Sequence, residues 1–312
     1  MIKNKTEEKI LVPVDGSDRA INTVKYIARN DPFHRMRIVL FHVFSSVPES
    51  YWDLEDSAAS RAVAKQARAW ELSQKKLVKD HMERAKSLLE KSGIPTASIE
   101  TKIQNRKKGI ARDIIQEARN GYTAVVTRRR GTTALRNVVL GSVAAKLVAK
   151  IVFIPLILVG KKPPGNKILI GFDGSPDAMQ AVGFVGSVLG GLDYEVELLH
   201  VIREGELRLP EVASITPSKE FTTAAKKEMT SSFYLATKKL ISAGFKSKSI
   251  STKMIIGRSS RAKTIAGEAR QYDFGTIVMG RKGRSRVREF FIGRVTNKVI
   301  HMARDRSIWI IR

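Results

Sequence analysis

Short apolar runs and helix-period segments alternate along the whole chain. The first run, Lys9-Ile10-Leu11-Val12-Pro13-Val14, ends at Asp15; Gly16-Ser17-Asp18 follows, and apolar positions at Ala20, Ile21, Val24, Ile27 and Ala28 then recur with helical spacing. That order predicts a buried strand, a turn and a capped helix. A second apolar run covers Met36 to Val43, and the stretch from about Ser57 to Ser92 reads as one long helix halted by Gly93-Ile94-Pro95, because glycine closes a helix end and proline cannot continue it. Strands are expected over Ser98 to Ile103, Thr123 to Thr127 and Pro155 to Val159, with helices over Ile110 to Asn120 and Ser142 to Lys150 between them.

The pattern then starts again. Lys167-Ile168-Leu169-Ile170-Gly171-Phe172-Asp173-Gly174-Ser175 repeats the opening at an offset of 158, and His200-Val201 repeats His42-Val43 at the same offset. Gly283 and Gly293 repeat Gly131 and Gly141 at an offset of 152, and Glu268-Ala269-Arg270 repeats Glu117-Ala118-Arg119 at 151. A constant offset before the long helix and a nearly constant one after it mean two copies of one unit that differ by a few residues in the middle. The Pro/Gly stretch Gly160-Lys161-Lys162-Pro163-Pro164-Gly165-Asn166 is the joint, which gives a first domain over residues 1–160 and a second over 166–312. Apolar strands alternating with helices predict an α/β fold with a parallel sheet covered on both faces. Right-handed crossovers make that sheet doubly wound, with ligands expected at the carboxyl ends of its strands. Asp15, Asp173 and both glycine turns fall at such ends.

Composition narrows the function classes. The chain has 312 residues, long enough for two cores, and no cysteine, which excludes disulfides and thiolate chemistry. Its start is polar and its longest apolar run, Ile151 to Gly160, is interrupted by Pro155; a bilayer span needs about 20 apolar residues. A cytoplasmic protein that does not enter membranes is expected. The net charge is +26, divided as +15 over residues 1–162 and +11 over the remainder. A field of that sign attracts nucleotides, nucleic acid or acidic proteins and selects none of them. Five histidines without paired spacing suggest no metal site.

The strongest chemical signal is Gly280-Arg281-Lys282-Gly283, nine residues, then Gly293-Arg294-Val295-Thr296, placed after the apolar run Gly275 to Met279 and before a helix. A strand, a glycine turn and a helix N-terminus in that order make a cradle for phosphate, since bare amides and the helix dipole both point at the anion. Most of it occurs twice, as Gly131, nine residues, Gly141-Ser142. Asp15 and Asp173 each precede Gly-Ser at a helix start and read equally as turn residues or ligands. His42 and His200, in apolar strands, read as satisfied core or rim histidines.

These residues, the opening Val14-Asp15-Gly16-Ser17, its echo Phe172-Asp173-Gly174-Ser175, the His-Val pairs and the glycine turns, together resemble the universal stress protein family in its tandem-domain form. The resemblance covers essentially the whole chain. It implies a Rossmann-like, adenine nucleotide alpha hydrolase-like fold: two tandem doubly wound five-stranded parallel sheets of order 3-2-1-4-5. It implies ATP or another adenine nucleotide, with or without Mg, as ligand. Asp173 would hold the adenosine end, Val201 would offer backbone contacts to adenine, and Met279, Gly280, Gly283 and Gly293 would close on ribose and phosphates. Arg294 and Val295 begin the helix beyond. The first-copy positions are Asp15, Val43, Gly131, Gly141 and Ser142.

Each copy departs from the family pattern once. Arg294 stands where ATP-binding members carry a hydroxyl residue, and Arg128 stands where they carry the first glycine. Arginine can still grip phosphate, whereas a side chain at 128 would fill space left for ribose or force a different backbone path, so the second copy is the better expected site. No Walker lysine motif or carboxylate cluster accompanies the turns, so the expected function is a stress-response protein holding an adenylate as a ligand, with hydrolysis slow at most. The alternative is an adaptor that does not bind nucleotide and meets an acidic protein or nucleic acid through its basic surface. Within the family the fifth strands commonly pair across domains, which implies an internal pseudo-dimer joining residues 155–159 to residues 308–311.

Overall fold

A computed structural model of the chain describes residues 8–17, 20–47, 58–129, 139–203, 219–257, 260–283 and 292–312. By internal contacts it divides between Leu147 and Val148.

The first unit carries a parallel sheet of β1 (Lys9–Pro13), β2 (Arg37–Phe44), β3 (Ile99–Asn105) and β4 (Ala124–Arg128), in the order β3-β2-β1-β4. Its helices are α1 (Ile21–Ala28), α2 (Asp31–His34), α3 (Ala58–Lys91) and α4 (Ile110–Glu117), and the division falls inside α5 (Ser142–Lys150). Ile10, Leu11 and Val12 are wholly buried, as a central strand covered on both faces must be. The third strand runs two residues past its expected end, pairing Val43 with Gln104 and Phe44 with Asn105. After the buried Ile99 it alternates half-buried and exposed positions, so its last polar residues belong to the ladder without belonging to an apolar run.

The second unit contains β5 (Leu156–Val159), β6 (Lys167–Gly171), β7 (Glu195–Arg203), β8 (Ile250–Gly257), β9 (Thr276–Gly280) and β10 (Ser307–Ile311), in the order β5-β10-β9-β6-β7-β8. Counted from β6, the second copy has the order 3-2-1-4-5, all parallel. The fifth strand of the first copy, β5, joins this unit antiparallel to β10, with Leu158 opposite Ile308 and Ile157 opposite Trp309. The two apolar strands expected to meet therefore do pair. Gly160 N–H donates to Ser307 Oγ at 3.1 Å and Lys162 N–H to the Asp305 carbonyl at 2.8 Å, which extends the contact into the joint. Trp309, buried, meets Phe184 edge-on at 5.8 Å.

Helices α6 (Pro176–Leu189), α7 (Lys219–Ser242), α8 (Arg261–Gln271) and α9 (Arg294–Met302) complete this unit. Sequence chemistry sets their starts. Ser175 accepts the Ala178 N–H and Ser260 the Lys263 N–H as N-caps, and Gly293, which cannot cap with a side chain, opens α9. Among the described residues no helix is long and apolar enough to cross a membrane.

Candidate functional site

The carboxyl ends of β6, β7 and β9 and the N-termini of α6, α8 and α9 enclose a cavity of about 580 Å³ in the second unit. Its position follows from topology: β9 and β7 flank β6 on opposite sides, so the chain leaves neighbouring strands in opposite directions and opens a crevice there. All eight second-copy residues singled out in the sequence (Asp173, Val201, Met279, Gly280, Gly283, Gly293, Arg294 and Val295) line it.

Two glycines give the cavity its shape by close approach. A Cβ on Gly280 would lie 2.8 Å from Ala178 N and 2.9 Å from the Asp177 carbonyl carbon, so the end of β9 touches the first turn of α6. A Cβ on Gly283 would lie 2.5 Å from Asp173 Oδ2, which places the glycine turn and the aspartate in contact. The turn is held by its main chain. Lys282 N–H donates to Asp177 Oδ2 at 2.9 Å, Gly293 N–H to the Arg281 carbonyl at 2.8 Å, and Arg281 N–H to the Ile311 carbonyl at 2.5 Å. Thr296 Oγ1 donates to the Gly280 carbonyl at 2.8 Å and is buried, so that hydroxyl serves the strand end.

Asp173 fulfils its reading as a turn residue. Its Oδ1 accepts the Ser175 N–H at 3.0 Å, as a turn aspartate does, while its Oδ2 faces the α-carbon of Gly283. His200 Nδ1 donates to the Phe172 carbonyl at 2.8 Å, tying β7 to the end of β6. It is the rim histidine the sequence suggested. Arg281 is buried within the turn, where its guanidinium donates to the Val148 carbonyl. Burial, reinforced by the charge of Arg312 and opposed by Asp177, pushes it down to about 10, so it stays charged at neutral pH.

Sequence reasoning passed over Arg261 and Lys298, which also line the cavity. Lys298 lies one helical turn beyond Arg294, so the i, i+4 spacing could have shown it. Arg261 Nε donates to the Val201 carbonyl at 3.2 Å; it reaches the site from the start of α8, and only the three-dimensional order of β6, β7 and β8 brings it there. Together with Lys282, these cations face a wall whose one carboxylate, among the described residues, is Asp173.

The first copy keeps much of this framework. Asp15 Oδ1 accepts both the Ser17 N–H at 3.1 Å and its Oγ–H at 2.6 Å, and His42 Nδ1 donates to the Val14 carbonyl at 2.7 Å. Gly141 N–H donates to the Arg129 carbonyl at 2.7 Å, matching Gly293 and Arg281. Val43 is buried in β2, and Ser142 is exposed at the start of α5. Gly131 lies outside the described residues. The departure is Arg128, which ends β4 as Gly280 ends β9. Ala20 N–H donates to Ser17 Oγ at 3.2 Å, as Ala178 N–H does to Ser175 Oγ, so the serine turn is alike in both copies.

The family model described as "Universal stress protein family" matches the chain twice, over residues 7–159 and 165–305. Over 98% of its length the chain is similar to a universal stress protein from Archaeoglobus fulgidus DSM 4304, at 16% identity and a TM-score of 0.60, covering 99% of that chain. A putative universal stress protein from Pseudomonas aeruginosa UCBPP-PA14 is similar over 98% of this chain and 93% of its own, at 16% identity and a TM-score of 0.55. At such identities the likeness is one of fold. No curated protein matches the chain.

Proposed function

Because this chain belongs to the universal stress protein family, we propose that its second copy binds ATP or a related adenine nucleotide as a ligand. One observation carries the reading: Gly283 stands so close to Asp173 that any side chain there would strike the carboxylate, its Cβ falling 2.5 Å from Oδ2. Close approach of bare backbone beside an acidic group is what a ribose and phosphate cradle uses, the acid taking hydroxyl protons and the amides taking phosphate oxygens. The residues fit the group. Asp173 and the Val201 backbone would take the nucleoside, Gly280 and Gly283 would bring bare main chain to the ribose and first phosphate, and the start of α9 would receive the remaining phosphates. When bound, the nucleotide supplies a polyanion and an aromatic base; this chain supplies the amides, the cations and the shape that recognise them. The adjacent copies would form the internal pseudo-dimer of the family through β5 and β10.

Isothermal titration of the full chain with ATP at physiological salt tests the reading. Saturable binding that depends on the base is expected. Gly283→Val should weaken it by about fivefold or more, roughly 1 kcal/mol, because the new side chain can enter only by turning the Asp173 carboxylate aside. Binding of any polyanion alike, abolished by salt, would instead support an adaptor with a basic surface.

A further inference from the structure

Resting on the nucleotide reading of this cavity, we propose that its cations take the place of a metal ion, so that the site prefers a metal-free triphosphate and discriminates nucleotides by the length of the phosphate chain. Among the described residues four cationic ones line the cavity: Arg261, Lys282, Arg294 and Lys298. Arg261 is tied to β7 through the Val201 carbonyl, which assigns it to the nucleoside end. Lys282, Arg294 and Lys298 belong to the glycine turn and α9, where the phosphates would lie. Arg294 and Lys298 are one helical turn apart, hence on one face, and the main chain that carries Lys282 is fixed by the hydrogen bond from its N–H to Asp177.

The donor set does not suit a divalent cation. Mg is usually held by one or two carboxylates together with phosphate oxygens and water; Asp173 is the one carboxylate on the cavity wall among the described residues, its Oδ1 accepts the Ser175 N–H, and the nucleotide reading gives its Oδ2 to the ribose rather than to the phosphates. Among the described residues, too, no cluster of His, Cys, Asp or Glu could hold a metal. A metal riding on the β- and γ-phosphates would cancel two of their negative charges, the same charges that Lys282, Arg294 and Lys298 are placed to meet. Where a hydroxyl would have served a metal-loaded phosphate, Arg294 brings a charged fork, and the nearby Thr296 hydroxyl is already given to Gly280.

Titration of the full chain with AMP, ADP and ATP, each in EDTA and in excess Mg, tests this. In EDTA, affinity should rise from AMP to ATP by about tenfold per phosphate, the size of one charge-assisted hydrogen bond. Mg should weaken ATP at least about threefold and leave AMP unchanged, because screening removes only the phosphate contacts. Inorganic tripolyphosphate should compete with ATP in EDTA. The exposed pair Arg294→Ser with Lys298→Gln should bring ATP close to AMP and abolish the Mg penalty. Equal binding of AMP and ATP, or tighter ATP binding with Mg, would overturn the inference while the adenylate site stood. Binding of none of the three would overturn both.

Discussion

The two copies share their turn geometry and differ in what that geometry leaves open. In each, an aspartate at the end of the first strand accepts the N–H of the serine two residues on. In each, a histidine ties the second strand to the first, and a glycine N–H closes the later turn on an arginine carbonyl. The difference is concentrated where β4 ends in Arg128 and β9 in Gly280. Gly280 admits the first turn of α6 to within contact of its α-carbon; the first copy has the Arg128 side chain at that position. The shared bonds persist because the aspartate and histidine are present in both copies and each meets a main-chain group, which does not depend on residue type. The shape of the cavity depends on a position where only hydrogen can stand.

Transplanting the first copy's residue into the second should give the largest effect. In Gly280→Arg the new Cβ meets Ala178 N at 2.8 Å and Asp177 C at 2.9 Å, both backbone atoms of α6, so the helix start must move. The expected result is a loss of about 1–3 kcal/mol in stability from overpacking, measured by denaturant unfolding, and a fall in ATP affinity of about 100-fold or more, equivalent to roughly 2.7 kcal/mol. Unchanged affinity would show that the contrast at Gly280 and Arg128 is irrelevant to binding.

Much of this was legible in the chain. The repeat, the strand order of the second copy and the convergence of Asp173 with Gly283 follow from residues that must lie at strand ends, and sequence shows strand ends through its turn chemistry. Arg261 was not legible, since it enters from α8 through the position of β7. The contact division inside α5 was not legible either. Pro/Gly composition marks the joint at Gly160 to Asn166, but contacts group β5 with β10 because pairing across the repeat outweighs nearness in sequence.

A second contrast lies beneath the sheets' helices. Glu117 accepts from Lys102 Nζ at 2.7 Å, Asn120 Nδ2 at 3.1 Å and Tyr122 OH at 2.6 Å. Burial raises its proton affinity, but these bonds and the charge of Lys102 outweigh it and leave Glu117 below its ordinary value of 4.5. The second copy retains the lysine as Lys253, bonded to Glu268. It has Phe274 in place of Tyr122 and Glu197 in place of Val39. The donor lost with the phenol is replaced by a carboxyl group, and burial together with the charge of Glu268 pushes Glu197 up from 4.5. A depressed carboxyl stabilises above its unfolded value and loses that contribution as pH falls through its folded value; a raised one stabilises below its unfolded value and loses it as pH rises. Glu117→Gln should therefore destabilise by about 1–3 kcal/mol at neutral pH, as expected for bonds to a charged group, with the deficit fading in acid below about pH 4.5. Glu197→Gln should do the reverse and raise Tm at neutral pH by on the order of 2 °C, because an amide can donate to Glu268 without holding a proton. Parallel pH profiles of the two variants would show that the exchange of Tyr122 for Glu197 has no electrostatic consequence.

The smallest effect is expected at the shared histidine tie. His42 is buried behind the Val14 carbonyl. Burial lowers it below 6.5 and His81 adds to that, while the Val14 carbonyl and Asp15 pull the other way. Its folded value is depressed, so the neutral ring stabilises the first copy above pH 6.5 and the contribution is lost as pH falls through the folded value. In His42→Asn, whose amide can still donate toward Val14 but does not titrate, the acid side of the Tm profile should flatten by about 1–2 °C. The comparison is between wild type and variant at about pH 7.5 and about pH 5.5, on either side of the ordinary histidine value. A variant that lost as much as wild type between those values would place the acid sensitivity elsewhere, and the tie would be purely a strand clamp, as the 2.8 Å bond from His200 to Phe172 is in the second copy's geometry.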